Sequence, residues 1–332
     1  MSTQVRWGIL GTGKIARAFA LALKDTPDAV LAGTGSRTLD SAQAFAHEHG
    51  GAAYASYEEL VRAADVDLVY VGTPHPLHHA NVRMALEAGK GVLCEKAFTM
   101  NRRQAEELVA LAQDKKLFLM EAMWTRYLPA LAEVRRIVAS GEIGAVRQVN
   151  ADLGFKAAVG PEHRLFNPAL GGGALLDLGI YPLSIAMALL GPVSSVLAQA
   201  DLGPTGVDEQ TALLLRHEGG GMSVCSCSLR ARLPSELTIS GELGHVRMNA
   251  MFHRAQSVSV ALADGGTRTV ATPFLGNGYV HEIIEAQRCW RAGLLESPGM
   301  THADTLALMG VMDEARRQIG LHYAADLAAN DA

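Results

Sequence analysis

Apolar residues in the first third of the chain fall in short runs at 5–10, 30–35, 52–55, 67–71, 91–94 and 117–121. Between them, apolar positions recur every three to four residues, which predicts helices at 39–49, 57–64, 77–88 and 101–115. Asn101 stands where it could cap the last of these. Strands alternating with helices predict a parallel, doubly wound sheet with helices on both faces. After residue 123 the pattern changes. Helical spacing covers 129–139 and 175–190, the second bounded by Gly171-Gly172-Gly173 and Gly191-Pro192. Strand-like alternation covers 146–155, 193–200, 209–215, 222–229, 236–240, 245–249, 257–262 and 268–271. Short turns such as Gly219-Gly220-Gly221 and Asp264-Gly265-Gly266 separate several of them, which predicts an antiparallel or mixed sheet. Helical patterns at 280–292 and 302–319 close the chain.

The first apolar run leads at once into Gly11-x-Gly13-x-x-Ala16, and a helical pattern follows to about Lys24. Strand, glycine turn and helix start are the context a dinucleotide fingerprint needs. Gly11 permits the sharp turn, Gly13 lets backbone approach a pyrophosphate, and Ala16 lets the helix pack close to the strand. Lys14 and Ile15 open that helix, whose free N–H groups would face the pyrophosphate. At the end of the second strand an acidic residue would accept the ribose 2′-hydroxyl and select NAD. Ser36-Arg37 stands there instead, and the next carboxylate is Asp40. A hydroxyl and a guanidinium suit a 2′-phosphate. NADP(H) is therefore the expected cofactor, with NAD(H) left open.

Composition narrows the classes. A chain of 332 residues can build two domains, and the change of pattern divides them as 1–122 and 123–332. A net charge of −5 without a basic block argues against nucleic acid as a partner. No apolar run looks long enough to span a membrane, and the first strand starts too early to leave room for a signal peptide. The four cysteines, Cys94, Cys225, Cys227 and Cys289, are too few for a disulfide framework in a chain of this length, so a reducing cytoplasm is expected. Cys225 and Cys227 share one strand face and read as core. His75, His78 and His79 share a helix face, but no nearby cysteine or carboxylate completes a set, so no metal is expected.

Four motifs occur in order: Gly11-Thr12-Gly13-Lys14-Ile15-Ala16, Thr73-Pro74-His75-x-x-His78, Cys94-Glu95-Lys96 and Gly172-Gly173-x-x-x-Asp177-x-x-x-Tyr181. As a set they resemble the glucose–fructose oxidoreductase / inositol dehydrogenase / rhizopine catabolism (Gfo/Idh/MocA) family over nearly the whole chain. Residues 120–126 and 295–298 look most like its branch of dimeric dihydrodiol dehydrogenases and NADP-dependent D-xylose dehydrogenases. The resemblance implies a Rossmann domain followed by an α/β domain with an open, mainly antiparallel sheet. The flat face of that sheet would pair with another copy, giving a homodimer or a dimer of dimers. It also implies that Thr73, Pro74, His75, His78, Glu95, Lys96, Trp124 and Arg126 line the cofactor. Trp124, Phe155, Asp177 and Tyr181 would meet the substrate, with Lys96, Asp177 and Tyr181 as the catalytic set. Ala97 stands where the family usually has proline, so the loop holding Lys96 is expected to lack that constraint.

The residues suit hydride transfer, in which the cofactor carries the redox chemistry and the protein manages one proton. Asp177 and Tyr181 are four apart on an expected helix and share a face. A free tyrosine ionises only near pH ~10, and an ammonium beside it favours the phenolate. In this reading Tyr181 takes and returns the alcohol proton. Lys96 polarises the substrate oxygen and tunes Tyr181, and Asp177 orients a hydroxyl or Lys96. Trp124, Tyr127, Phe155, Phe166 and Tyr181 cluster in a chain with only 5% aromatic residues, which suits a sugar such as D-xylose or a cyclic trans-dihydrodiol. His163-Arg164 reads equally as a polar substrate contact or as solvated surface. Tyr279 reads as packing or as a substrate contact, and Trp7 and Trp290 read as core. The expected activity is NADP(H)-dependent oxidoreduction of a secondary alcohol or carbonyl. A non-catalytic dinucleotide sensor on the same scaffold, or an oxidoreductase that retains its nucleotide, are the alternatives.

Overall fold

Six parallel strands form where the short apolar runs fall: β1 (Val5–Leu10), β2 (Ala29–Gly35), β3 (Ala52–Tyr54), β4 (Leu68–Val71), β5 (Gly91–Glu95) and β6 (Leu119–Ala122). The structure is a computed structural model and describes residues 4–327. The strand order β3-β2-β1-β4-β5-β6 reverses between β1 and β4, and in such sheets ligands bind at that switch point. β4 and β5 are buried along their whole length, which is why they read as continuous apolar runs instead of alternating ones. Helices α1 (Lys14–Asp25), α2 (Leu39–His49), α3 (Tyr57–Arg62), α4 (His78–Glu87) and α5 (Arg102–Lys115) connect the strands. Thr38, Ser56 and Asn101 cap α2, α3 and α5 by accepting the backbone N–H groups of Ser41, Glu59 and Gln104. Phe19 of α1 stacks on Tyr70 of β4 at 3.7 Å and meets Trp7 edge-on at 5.3 Å.

A second unit comprises Thr125–Phe274 and the described residues from Ala307. After α6 (Pro129–Ala139) comes β7 (Val146–Gly154), and then a π-helical turn, Leu175–Gly179, runs into α7 (Ile180–Leu190). Strands β8 (Val193–Leu202), β9 (Asp208–His217), β10 (Met222–Ser228), β11 (Leu237–Gly241), β12 (Gly244–Met248), β13 (Ser257–Leu262) and β14 (Thr267–Ala271) follow. They join β7 in an eight-stranded sheet of order β14-β13-β12-β11-β7-β10-β9-β8. Every neighbouring pair is antiparallel except β7 and β10. Burial alternates along β9, so one face of the sheet is covered and the other is open. Cys225 and Cys227 of β10 lie on the covered face.

Two sequence expectations need correction. By length and composition Pro168–Leu190 is apolar enough to cross a membrane, yet 83% of its apolar window is buried within the fold. It is a core helix, and its all-round apolarity reflects burial against protein. Secondly, Leu275–Leu306 clusters with the first unit, although the sequence pattern assigned everything after residue 122 to the second. This segment holds α8 (Val280–Arg291) and the start of α9 (His302–Ile319), and α10 (Ala324–Leu327) follows. The cause is long-range bonding. Leu119 donates its N–H to the Leu295 carbonyl at 2.9 Å, and Thr305 Oγ1 donates to Glu121 at 3.0 Å. Trp290, expected in the core, is half-buried, whereas Trp7 is fully buried.

Candidate active site

In the first unit, Gly11 leaves β1 with φ +104°, and a Cβ there would stand 3.1 Å from the Gly72 carbonyl oxygen. The turn therefore demands glycine. Gly13 is the N-cap of α1, and no side chain caps that helix. Nothing lies within 4 Å of where a Gly13 Cβ would be. Open space thus adjoins the uncapped helix start at Lys14 and Ile15, the cradle a pyrophosphate fits. At the end of β2, Ser36 is buried and Arg37 is exposed. A guanidinium in solvent beside a hydroxyl fits a phosphate on the ribose.

The loop that carries Lys96 is held by histidines. His78 Nε2 lies 2.8 Å from the Thr73 carbonyl and Nδ1 lies 2.9 Å from the Ala97 carbonyl. His75 Nε2 lies 3.2 Å from the Lys96 carbonyl, and the Thr73 hydroxyl accepts from Asn81 at 3.0 Å. Burial lowers the pKa of His78, and its hydrogen bonds to backbone carbonyls oppose the shift. Glu95 is buried, and its carboxylate accepts the Tyr70 hydroxyl at 2.5 Å and the Lys96 backbone N–H at 3.2 Å. The Lys96–Ala97 peptide bond is cis. Ala97 is fully buried. Pro74 is exposed and the Lys96 side chain is half-buried. Trp124 is buried and stacks on Tyr279 with ring centroids 4.6 Å apart, so Tyr279 packs. On α8, Glu282 is fully buried and neither carboxyl oxygen has a hydrogen-bond partner among the described residues. Burial, and then the charge of Glu95, raises its pKa. Nothing local in the sequence marks that group.

In the second unit, Asp177 sits in the π-helical turn and Tyr181 at the start of α7, both nearly buried at 7% exposure. A π-turn is an irregularity often found at functional sites. The carboxylate of Asp177 pairs with Arg164, with contacts of 3.1 and 3.3 Å. Arg126 is buried, and its guanidinium donates to the Ser184 hydroxyl at 2.9 Å and to the Ser184 carbonyl at 3.1 Å. It thus braces α7 one turn beyond Tyr181, a role the sequence did not suggest. Asp208 caps the helix start from β9, accepting the Leu175 N–H at 2.7 Å. The Tyr323 hydroxyl donates to the Gly172 carbonyl at 2.5 Å. The Tyr181 ring lies 5.5 Å from the His253 ring. Neither Asp208, Tyr323 nor His253 carries a local signal, because each meets the helix from a distant strand or loop. Phe155, just beyond β7, is 41% exposed. The structure therefore assembles Thr73, His75, His78, Glu95 and Lys96 within one unit, and Arg126, Asp177 and Tyr181 within the other.

Comparison with known proteins decides the family. A family of oxidoreductases with an NAD-binding Rossmann fold matches residues 5–123, and the Gfo/Idh/MocA C-terminal domain matches 131–247. The chain belongs to the Gfo/Idh/MocA oxidoreductase family. A trans-1,2-dihydrobenzene-1,2-diol dehydrogenase of Danio rerio is 39% identical, covering 97% of this chain and 99% of the relative. A D-xylose 1-dehydrogenase (NADP+) of Hypocrea jecorina is 37% identical, covering 96% and 93%. Among solved structures, a 3-ketoreductase from Actinomadura kijaniata in complex with NADP and TDP-benzene is 27% identical. It superposes with a TM-score of 0.86 over 95% of this chain and 98% of that one. As a Gfo/Idh/MocA member the chain is a nicotinamide-dependent oxidoreductase, and the glycine cradle of α1 is the feature of its own structure that fits the dinucleotide.

Proposed function

We propose that this chain is an NADP(H)-dependent dehydrogenase that moves a hydride between nicotinamide and a secondary alcohol or carbonyl of a sugar or cyclic diol. The observation that carries the reading is the placement of Asp177 and Tyr181 on one buried helical segment, in a chain whose other unit holds both Lys96 and a dinucleotide cradle. The diol and D-xylose named for the two relatives support the substrate class. The first unit takes the dinucleotide, and the second takes the substrate and a second copy of the chain. In support of that contact, Leu197, Leu214 and Val224 align across β8, β9 and β10 and are exposed. Such an apolar row suits an isologous contact. The buried free cysteines fit a reducing cytoplasm.

Bound nicotinamide supplies the hydride acceptor in oxidation and the donor in reduction. The turn at Gly11 and Gly13 and the helix start at Lys14 and Ile15 receive the pyrophosphate. Ser36 and Arg37 receive the ribose 2′-phosphate. Tyr181 takes the alcohol proton in oxidation and returns it in reduction. Lys96 donates a hydrogen bond to the substrate oxygen, which favours the alkoxide-like charge that develops there. Asp177 accepts from a substrate hydroxyl.

The test is a titration with NADPH and NADH followed by nicotinamide fluorescence. The loaded protein is then assayed by nicotinamide absorbance with D-xylose, D-glucose, inositol and a trans-dihydrodiol. Tighter NADPH binding and turnover on at least one substrate are expected. Lys96→Met should lower turnover by roughly 10²–10³-fold, the usual cost of losing such a donor, with NADPH binding kept. Unchanged turnover in Lys96→Met would refute the assignment.

A further inference from the structure

Arg164 lies in the loop between β7 and the π-helical turn, where the sequence left solvated surface and substrate contact equally open. Its fork meets the Asp177 carboxylate end to end, Nη1 to Oδ1 at 3.1 Å and Nη2 to Oδ2 at 3.3 Å. Such a bidentate pair fixes both planes, which a lysine could not do.

A purely structural role does not explain the pair. The Arg164 side chain is 55% exposed against 10% for Asp177, and an ion pair so open to water adds little to stability. The loop is already fastened without it. Asn167 donates its N–H to the His163 carbonyl at 3.1 Å, Gly172 to Asn167 at 3.0 Å, and Gly173 to Leu165 at 2.9 Å. Leu165 is buried beside Arg164 in sequence and anchors the same loop. A guanidinium has five N–H donors, and two of them face Asp177. Its exposure leaves donors for a second partner.

Resting on the dehydrogenase reading, we infer that Arg164 and Asp177 together read two oxygens on adjacent carbons of the substrate. The carboxylate accepts from the hydroxyl on one carbon, and the guanidinium donates to the oxygen on the next. Arg164 is thus a substrate-contacting, specificity-determining residue. The preferred ligand is thus a vicinal polyol. A site built to bond a hydroxyl discriminates strongly against the analogue that lacks it, because its polar groups are then left unmatched.

The experiment compares wild type, Arg164→Met and Arg164→Lys, each loaded with NADP+, on two matched pairs: D-xylose with 2-deoxy-D-xylose, and trans-1,2-cyclohexanediol with cyclohexanol. Both kcat/KM and calorimetric Kd are read. Arg164→Met should lose roughly tenfold to hundredfold on the compound with the adjacent hydroxyl, the range for hydrogen bonds to charged groups, and under about threefold on the partner that lacks that hydroxyl. Arg164→Lys should fall between. Equal losses on both members of each pair, or none on either, would overturn the inference. If Arg164→Met does not fold, the wild-type preference for the diol and its loss in Arg164→Lys decide. A wild-type ratio near one overturns the inference. Binding without turnover would overturn the dehydrogenase reading alone, because the calorimetric ratios still judge Arg164. A wild type that binds no member of either pair overturns both.

Discussion

Replacing Asp208 by asparagine should flatten one component of the pH dependence of stability. Asp208 is fully buried, and its Oδ2 accepts both the Leu175 N–H and the Thr211 hydroxyl, each at 2.7 Å. Burial pushes its pKa up from 3.8 to about 6, and those two hydrogen bonds oppose the shift only in part. In the unfolded chain the group titrates near ~3.9. Between these values the folded protein binds more protons than the unfolded one. The stability that comes from the protonated carboxyl is therefore fully present below about pH 4 and is lost as pH rises through about 6. Two pKa units correspond to about 3 kcal/mol. Asparagine keeps a neutral acceptor for Leu175 and Thr211 and does not titrate. The stability difference, variant minus wild type, should thus rise by about 3 kcal/mol between about pH 4 and about pH 7. Urea denaturation followed by circular dichroism across that range measures it. Two curves that stay a constant distance apart at every pH would refute the reasoning.

Further consequences can be checked separately. Arg37→Ala should weaken NADPH binding by roughly tenfold to hundredfold, as expected for a lost charge-assisted contact, and leave NADH binding unchanged; an unaltered ratio by fluorescence titration counts against a 2′-phosphate site there. At Gly173, φ is +127° and an added Cβ would collide with the Asp208 carboxylate and stand 3.0 Å from the Tyr323 hydroxyl. Gly173→Ala should therefore cost about 3 kcal/mol or more, and a denaturation midpoint close to wild type would contradict that packing. Leu197 is 65% exposed on the open sheet face, so Leu197→Asp should change monomer stability by no more than about 0.5 kcal/mol while splitting the proposed dimer. Light scattering that gives the mass of one chain for wild type at micromolar concentration would remove the proposed contact.

What was legible in the sequence was local. The bounds of α2 are read correctly because the signals sit at its ends: Thr38 caps the start, and Gly50 closes the end at φ +92°. The doubly wound sheet is legible because buried parallel strands leave continuous apolar runs and intervening helices leave a different period. The glycine turn is legible because only glycine suits Gly11. Domain membership of 275–306 was not, since it depends on bonds such as that of Thr305 to Glu121, which join residues 184 positions apart.

The second half of the candidate site shows the same limit in its chemistry. Asp177 and Tyr181 could be found by spacing, but nothing in their own helix fixes where they stand. α7 has no side-chain cap, and every residue from Ile180 to Met187 is buried, so the helix has no polar stripe to set its rotation. Its placement comes from outside: Asp208 of β9 holds its start through Leu175, Arg126 grips Ser184, and Arg164 aligns the Asp177 carboxylate. Each of these groups is polar, remote in sequence and individually unremarkable. A reading of motifs therefore names Asp177, Tyr181, Arg126 and Arg164 as candidates, but gives no signal for Asp208 or for the bonds by which Arg126 and Arg164 hold this segment. Substitutions in the second set should alter which alcohol is preferred, or the pH range of stability, before they abolish the fold, and that separates them experimentally from Lys96 and Tyr181.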